Sequence, residues 1–529
     1  MTIKRFVLGL LTLFAIARVF LSLGGSLSEP QIQSRLELYQ TNLVLYASEL
    51  QKDEDNGELS KAIAQGLGED PAAAAIKQYD KVRQEVTEVR NSFQKQLNPS
   101  VVASSTEESQ NVQPVKELQI DTDSNNPQIT SPRQQLKQQV NDLDNFIDEI
   151  DLKKGILEAQ NNNISAAKDI WQGLINRIDD SENEYYQAAL VLDNLWSDNP
   201  QVKDNAETII NDNLDSWFRD RSLIKLYTVT DNDTKLADIN KAQQQIASQA
   251  VFKLAFISGI PFVGGFLGFI LLLFLLGQLL IKKEKSLLAT NSNMQWKTPW
   301  DWEITWQVII VGFFFVGQFV LPLFLGIVGF NVTEASLRTK AFYVLFTYFL
   351  MAAGGIAVLY WSIKSYLPIS NEWFKVKLLD NWFVWGLGGY LVAIPCVLLV
   401  SLINQQIWHG QGGSNPLLYL ALQAQDKVAL TVFFVTASIA APVFEELIFR
   451  GFLLPSLTRY LSVTTSIILS GLLFAIAHLS LAEVLPLATL GIILGIVYTR
   501  SRNILAPMLL HSLWNSGTLL SLFVLGSGS

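Results

Sequence analysis

The stretch Pro-Val-Phe-Glu-Glu-Leu-Ile-Phe-Arg, from Pro442 to Arg450, places two carboxylates and a guanidinium at the end of an apolar run that begins at Val428. A charged side chain at the bilayer centre costs at least ~2.5–3.5 kcal/mol, so charges kept there usually face a polar interior and serve a function. In a helix, Glu446 and Arg450 are four residues apart and can form an ion pair on one face. Glu445 points about 100° away, toward another segment.

Two later apolar segments also carry polar groups at helical spacing. His478 ends the sequence Phe-Ala-Ile-Ala-His, which begins at Phe474, and Asn515 follows His511 by one helical turn. A carboxylate, two imidazoles and an amide are the groups needed to activate water and to stabilise an oxyanion. Taken singly, they could be a core histidine and interhelical hydrogen-bonding groups. The third histidine, His409, lies in a Gly-rich stretch and is predicted to be a loop residue.

These motifs resemble those of the membrane-embedded CAAX-processing and bacteriocin-immunity protease family, also called the abortive-infection family, which includes type II CAAX prenyl endopeptidases. The family patterns are Glu-Glu-x-x-x-Arg, Phe-x-x-x-His and His-x-x-x-Asn. They occur here in the same order, as Glu445-Glu446-Leu-Ile-Phe-Arg450, Phe474-Ala-Ile-Ala-His478 and His511-Ser-Leu-Trp-Asn515. The resemblance covers roughly the last hundred residues.

The resemblance implies an intramembrane endopeptidase that hydrolyses a peptide bond in a membrane-associated protein or peptide. It implies that Glu445 is the general base and that His478 holds and polarises the attacking water. His511 and Asn515 would stabilise the oxyanion of the tetrahedral intermediate. The resemblance further implies that Glu446 orients the cluster or shares in catalysis.

Arg450 and Phe474 would orient the catalytic groups. Members of the family are often called metalloproteases, and a zinc ion, if present, would be held by Glu445, His478 and His511. The residues themselves leave metal dependence open, because imidazole and carboxylate can bind Zn²⁺ but the His-Glu-x-x-His spacing is absent from the sequence. A water activated by a carboxylate without a metal is equally consistent.

Composition divides the chain of 529 residues into a polar part, from about 30 to 250, and an apolar part that follows. The net charge of −9 comes from the polar part and argues against general nucleic-acid binding, which requires a basic footprint. The single cysteine, Cys396, allows neither a disulfide within the chain nor a cysteine-based metal site.

We predict an all-α protein with four regions. Residues 1–25 form a membrane anchor or signal segment, and 26–250 an extramembrane helical domain with a disordered linker at 98–132. Residues 251–427 are membrane helices, and 428–525 are the catalytic membrane region. Small residues at Gly155 and Ala159, with the turn that follows, indicate a helical hairpin of tetratricopeptide or generic type. The extramembrane domain carries no catalytic constellation and is expected to bind a protein partner or act as a spacer.

The apolar part contains eight candidate spans, or nine with the anchor: 254–281, 305–330, 341–361, 382–403, 428–450, 463–479, 484–499 and 504–525. Lysine and arginine cluster in alternate loops, which places the extramembrane domain outside the cytoplasm. We expect a bacterial cell membrane. Four tryptophans, Trp296, Trp300, Trp302 and Trp306, are typical of a membrane interface.

Depth along the spans leaves one inconsistency. Glu445 and His511 lie at similar heights above the basic loops, whereas His478, counted from Val463, lies about 23 Å along its span. The three can meet if the helix that contains Arg450 continues below the bilayer and the span 463–479 also starts beneath its surface. Two other functional classes remain: a membrane scaffold or chaperone that keeps the cluster as structural glue, and a transporter, for which no inverted repeat is evident.

Overall fold

A computed structural model describes residues 2–26, 33–50, 70–97, 132–329, 332, 335–408, 412–414, 418 and 426–526. Their regular secondary structure is entirely helical, which confirms the predicted all-α class. Contacts divide the chain into two units, one of Met1–Leu50 with Ile246–Ser529 and one of Gln51–Gln245. Residues 98–131 of the predicted linker, and His409, lie outside the described residues.

The helices, in chain order, are α1 (Ile3–Ser26), α2 (Gln33–Glu49), α3 (Pro71–Leu97), α4 (Pro132–Gln160), α5 (Ile164–Arg177), α6 (Glu184–Leu195), α7 (Ala206–Asn213), α8 (Ser216–Val229), α9 (Asp233–Lys282), α10 (Trp302–Val328), α11 (Leu337–Ile363), α12 (Trp382–Trp408), α13 (Lys427–Leu457), α14 (Val463–Ile476), α15 (Leu481–Ser501) and α16 (Leu505–Gly526).

The unit Gln51–Gln245 packs helices that are neighbours in sequence. The predicted hairpin is formed by α4 and α5, joined at residues 161–163. Gly155 lets the two helices approach, since a Cβ there would lie 2.2 Å from Nε1 of the fully buried Trp171. Nε1 of Trp171 donates to the carbonyl oxygen of Leu152 at 3.2 Å. The close packing of α4 against α5 therefore depends on Gly155 and Trp171.

The described residues contain eight helices that are long and apolar enough to cross a membrane: α1, α9, α10, α11, α12, α13, α15 and α16. All of them belong to the unit of Met1–Leu50 with Ile246–Ser529, except the start of α9 at Asp233. Their number confirms a multi-pass membrane protein. The predicted span 463–479 differs, because α14 has 14 residues and is about 21 Å long, less than the ~30 Å hydrocarbon core. It packs between α13 and α15.

The basic loops of this unit meet at one end of the helix bundle. Lys4 and Arg5, at the start of α1, pair with Glu303 at the start of α10, at 3.0 and 2.7 Å. At the end of α15, Arg500 donates from Nε to the carbonyl oxygen of Leu288 at 2.6 Å. The structure thus brings together segments that the charge pattern assigns to the same side of the membrane; that this side is cytoplasmic stays a prediction.

The predicted tryptophan belt is wrong for two of its four members. Trp296 and Trp300 are buried rather than exposed to lipid. Trp296 stacks on Tyr498 with ring centroids 5.3 Å apart, and Nε1 of Trp300 donates to Oγ of Ser456 at 2.9 Å. The segment between α9 and α10 packs against the ends of α13 and α15, and its tryptophan rings are part of the core there.

Candidate active site

Pro442 disturbs the hydrogen bonding of α13 directly before the two glutamates. The helix is π-helical over Thr436–Ala440 and again over Leu447–Leu453. Because proline has no N–H, the carbonyl oxygen of Ser438 loses its i+4 donor. That oxygen accepts from Oγ of Ser512 at 2.5 Å, and the carbonyl oxygen of Ala437 accepts from Nδ2 of Asn515 at 2.7 Å. Helix α16 is therefore fastened to α13 where α13 is irregular.

Glu446 and Arg450 form the predicted ion pair, and both side chains are 0% exposed. Oε1 of Glu446 accepts from Nη1 of Arg450 at 2.8 Å, and Nη2 of Arg450 donates to the carbonyl oxygen of Gly491 at 3.0 Å. The same Oε1 lies 2.9 Å from Nδ1 of His511. A carboxylate only accepts, so His511 donates from Nδ1 and its Nε2 is free for other contacts. One glutamate thus links α13 to α16.

The ring of Phe474, on α14, lies at the centre of these groups and is fully buried. The guanidinium of Arg450 stacks over it at 4.4 Å. The imidazoles of His478 and His511 meet it edge to face, with centroids 4.9 and 5.5 Å away. The aromatic ring of Phe474 therefore packs against the guanidinium of Arg450 and against both imidazoles.

Glu445 differs from Glu446 in having an accessible side chain, 15% exposed. Its Oε1 accepts from Oη of Tyr348 at 3.3 Å, and its Oε2 lies 3.9 Å from Nε2 of His511. Oε2 is a buried atom with no hydrogen-bond partner in the described part of the chain, as is Oε2 of Glu446, but of the two side chains only that of Glu445 has exposed surface. A buried carboxylate oxygen without a protein donor is a place for water or substrate.

His478 is placed beside Phe474 at the end of α14, and its Nδ1 lies 2.8 Å from the carbonyl oxygen of Phe474. A carbonyl oxygen only accepts, so Nδ1 of His478 carries a proton, and Nε2 is available to a ligand. Within the described ranges, His478 has no contact with a glutamate inside 4 Å, whereas His511 has two. The cluster therefore pairs Glu445 more closely with His511 than with His478. Helix α13 continues past Arg450, to Leu457. The depth of these segments in the bilayer stays a prediction.

The donor types around Glu445 suit zinc. The two imidazoles, each fixed through Nδ1 by an oxygen acceptor, resemble the outer-shell arrangement of metal-ligating histidines. Among the described residues, however, no three His, Cys, Asp or Glu side chains lie close enough together to hold an ion. The residues as placed do not fit a metal, and the mechanism proposed for this site uses none.

The sequence did not predict the contact of Tyr348 with Glu445. It also did not predict the hydrogen bonds that Ser512 and Asn515 of α16 donate to carbonyl oxygens of α13. The tyrosine lies 97 residues before Glu445 in an apolar helix, and no spacing connects the two. Pro442, by contrast, was a usable signal, since a proline inside a helix always removes one donor.

Comparisons with known proteins point to one family. Residues 427–517 match the family described as type II CAAX prenyl endopeptidase Rce1-like. The membrane-embedded CAAX protease MroQ of Staphylococcus aureus is 28% identical over 185 residues, which cover 34% of this chain and 72% of that protein. The putative membrane peptidase YdiL of Bacillus subtilis is 23% identical over 133 residues, which cover 25% of this chain and 53% of that protein. No solved structure gives a significant match.

Proposed function

We propose that this integral membrane protein is an endopeptidase whose Glu445 activates the attacking water. Residues 427–517 match the Rce1-like type II CAAX prenyl endopeptidase family. That match, and the relative named as a CAAX protease, support endopeptidase activity in a membrane. The roles of individual side chains rest on their contacts.

One observation carries the mechanism: Oε2 of Glu445, buried and without a protein donor among the described residues, lies 3.9 Å from Nε2 of His511. That separation lets one water molecule stand about 2.8 Å from both atoms. When the ring of His511 carries one proton, on Nδ1, its Nε2 has a lone pair and both neighbours of the water are acceptors. A water that donates both hydrogens turns its lone pairs toward a substrate carbonyl.

The hydrolysis then follows general-base chemistry. The water oxygen bonds to the carbonyl carbon as Oε2 of Glu445 takes one proton, and the carbonyl oxygen becomes an oxyanion. The protonated Glu445 returns that proton to the amide nitrogen as the carbon–nitrogen bond breaks. The products are a new carboxyl terminus and a new amine, and the carboxylate is ready for another water.

Glu446 serves His511 as a positioning residue. Its Oε1 holds the Nδ1 proton at 2.9 Å, which fixes the tautomer that leaves a lone pair on Nε2. Arg450 neutralises the carboxylate and ties it to Gly491 on α15. This assigns His511 to the attacking water, whereas the family resemblance alone suggests that role for His478.

His478 and Asn515 are proposed as donors to the oxyanion. His478 offers Nε2 to this task when the ring is doubly protonated, since Nδ1 is held by the carbonyl of Phe474. Asn515 uses one amide hydrogen on Ala437 and retains the second. Donors of this kind contribute about 2.7–4 kcal/mol each to the barrier in other hydrolases.

The substrate is proposed to be a membrane-associated peptide or protein, because Glu445 and His511 lie on helices that are long and apolar enough to cross a membrane. The extramembrane helical unit is proposed to lie outside the cytoplasm of a bacterial cell and to bind a protein partner. The apolar helices of the site and the helical unit do not select for or against a prenyl group on the substrate.

The test is cleavage of candidate membrane peptides by the purified full chain in lipid vesicles, read by mass spectrometry of both products. Glu445→Gln removes the base and is expected to give no cleavage. Glu372→Gln, at an exposed glutamate of the loop that precedes α12, is the matched control and should cleave like wild type. If neither wild type nor the control cleaves any peptide, a non-catalytic scaffold becomes the better account.

A further inference from the structure

A third membrane segment reaches the proposed base, from outside the region that matches the family. Tyr348 is on α11, and its Oη lies 3.3 Å from Oε1 of Glu445. A phenol keeps its proton at neutral pH and a carboxylate only accepts, so Tyr348 is the donor. The separation is longer than a typical O–H···O bond, as is common for catalytic contacts before substrate closes the site.

Close packing of helices fixes where the phenol can be. The ring of Tyr348 meets Phe444, the residue before Glu445, edge to face at 6.2 Å. Gly355, two turns further along α11, also contacts the Phe444 ring, since a Cβ there would lie 2.9 Å from it. The opposed Gly312 on α10 would place a Cβ 3.1 Å from Val358 of α11. Two glycines thus let α11 lie close to both α10 and α13.

The contact decides which oxygen of Glu445 is free to react. Tyr348 occupies Oε1, and the other oxygen, Oε2, faces Nε2 of His511 at 3.9 Å without a donor from the described residues. Without the phenol, the carboxylate could turn about its terminal torsion, which is broad and roughly two-fold. A half turn would only exchange two equivalent oxygens, but at intermediate angles the carboxylate would tilt away from the water.

We propose that Tyr348 is a positioning residue that orients the Glu445 carboxylate, holding Oε1 so that Oε2 receives the proton of the attacking water. The catalytic part of this inference rests on the proposed endopeptidase function. The hydrogen bond and its orienting effect stand on the geometry alone.

The first test is steady-state kinetics of Tyr348→Phe, which removes only the hydroxyl. Its kcat is expected to fall about tenfold or more while KM stays within about twofold of wild type, since the substrate does not bind to this hydroxyl. Tyr360→Phe is the matched control, because Tyr360 is on the same helix and 55% exposed. Wild-type kcat for Tyr348→Phe would overturn the proposal, as would a loss that falls on KM alone.

The second test needs no substrate. A double-mutant cycle of Tyr348→Phe and Glu445→Ala, measured by thermal unfolding of the full chain in detergent, reports whether the two side chains interact. The expected result is that the double variant loses less stability than the sum of the single variants. Strictly additive losses would overturn the orienting contact. Coupling without any cleavage by wild type would support the contact and count against the proposed function.

Discussion

His511 donates from Nδ1 to Oε1 of Glu446 at 2.9 Å, and this carboxylate is fully buried and paired with Arg450. The arrangement suits two adjacent glutamates to different tasks. Each glutamate has one oxygen without a donor among the described residues. Glu446, held between a guanidinium and an imidazole, is 0% exposed, whereas the side chain of Glu445 is 15% exposed and can be reached. In the proposed mechanism, the second glutamate of the motif prepares the histidine and the first one performs the proton transfer.

Glu446→Gln should strongly destabilise the protein, because it leaves the charge of Arg450 buried without a counter-ion. Breaking one partner of a buried pair typically costs about 3–5 kcal/mol, whereas replacing both by apolar residues of similar size is often neutral. The double variant Glu446→Leu with Arg450→Met should therefore unfold closer to the wild-type temperature than Glu446→Gln, although Nδ1 of His511 and the carbonyl oxygen of Gly491 lose their partners. It should nevertheless be inactive, because His511 has lost its acceptor. Thermal unfolding in detergent and peptide cleavage measure the two effects; an active double variant would contradict the role of Glu446.

Gly491→Ala should lower both stability and activity. A Cβ there would lie 2.9 Å from Cα of Gly471 on α14 and 3.3 Å from Nη2 of Arg450, so α14 and α15 must separate. Overpacking of this kind costs about 1–3 kcal/mol. Gly277→Ala on α9 is the control, since no neighbouring atom lies within 4 Å of its Cβ position. Equal unfolding temperatures for the two variants would show that the contact between α14 and α15 is unimportant.

The sequence alone predicts the polar members of the site, because charge and imidazole in apolar helices are costly and therefore conspicuous. Glu446 and Arg450 at i and i+4 even predict their own pairing. Tyr348 could not be found in this way, since a tyrosine is common in membrane helices and its partner lies on another segment. Its position depends on Gly312 and Gly355, whose effect appears only when the helices are packed.

The same limit applies to the fold. Hydropathy identifies the long apolar helices, but it does not separate a full span from α14, which is apolar and only 14 residues long. Tryptophan near a span predicts an interface belt on average, whereas Trp296 and Trp300 are buried. Apolar surfaces that face lipid and apolar surfaces that face protein have similar composition. Because tertiary packing decides between the two, the sequence does not separate them.

Stability should depend on pH through Asp426, which lies just before α13. Its carboxylate accepts from Nε of Arg338 at 2.9 Å and from the backbone N–H of Ala429 at 3.1 Å. The hydrogen bond from Arg338 is the largest cause that lowers the pKa of Asp426, and the backbone N–H adds to it. An ordinary aspartate has a pKa of about 3.9. A lowered folded value means that the stabilisation is complete above that pH and is lost as the pH falls through the folded pKa.

Between about pH 4 and pH 2, the unfolding temperature of wild type should therefore fall more steeply than that of Asp426→Asn, whose side chain can still accept a backbone N–H but does not titrate. Thermal unfolding scans across that range, at constant ionic strength, make the comparison. If the unfolding temperatures of the two proteins fall equally steeply with pH, the negative charge of Asp426 does not contribute to stability.

Orientation in the membrane can be tested by cysteine labelling in a Cys396→Ala background, which has no other cysteine. Glu284→Cys, next to the basic loops, should react with a membrane-impermeant maleimide only after cells are permeabilised. Ser181→Cys, in the unit Gln51–Gln245 that is proposed to lie outside the cytoplasm, should react in intact cells. Both positions are exposed. The opposite pattern of labelling would reverse the proposed topology.

The most direct measurement is cleavage of a membrane peptide by Glu445→Gln alongside its unfolding temperature. Glu445 makes one long hydrogen bond, to Tyr348, and its side chain is partly exposed, so its replacement should shift the unfolding temperature by no more than about 2 °C. We predict a folded protein with no detectable cleavage, beside a fully active Glu372→Gln control. A folded Glu445→Gln variant that cleaves at the wild-type rate would contradict the claim that Glu445 is the base.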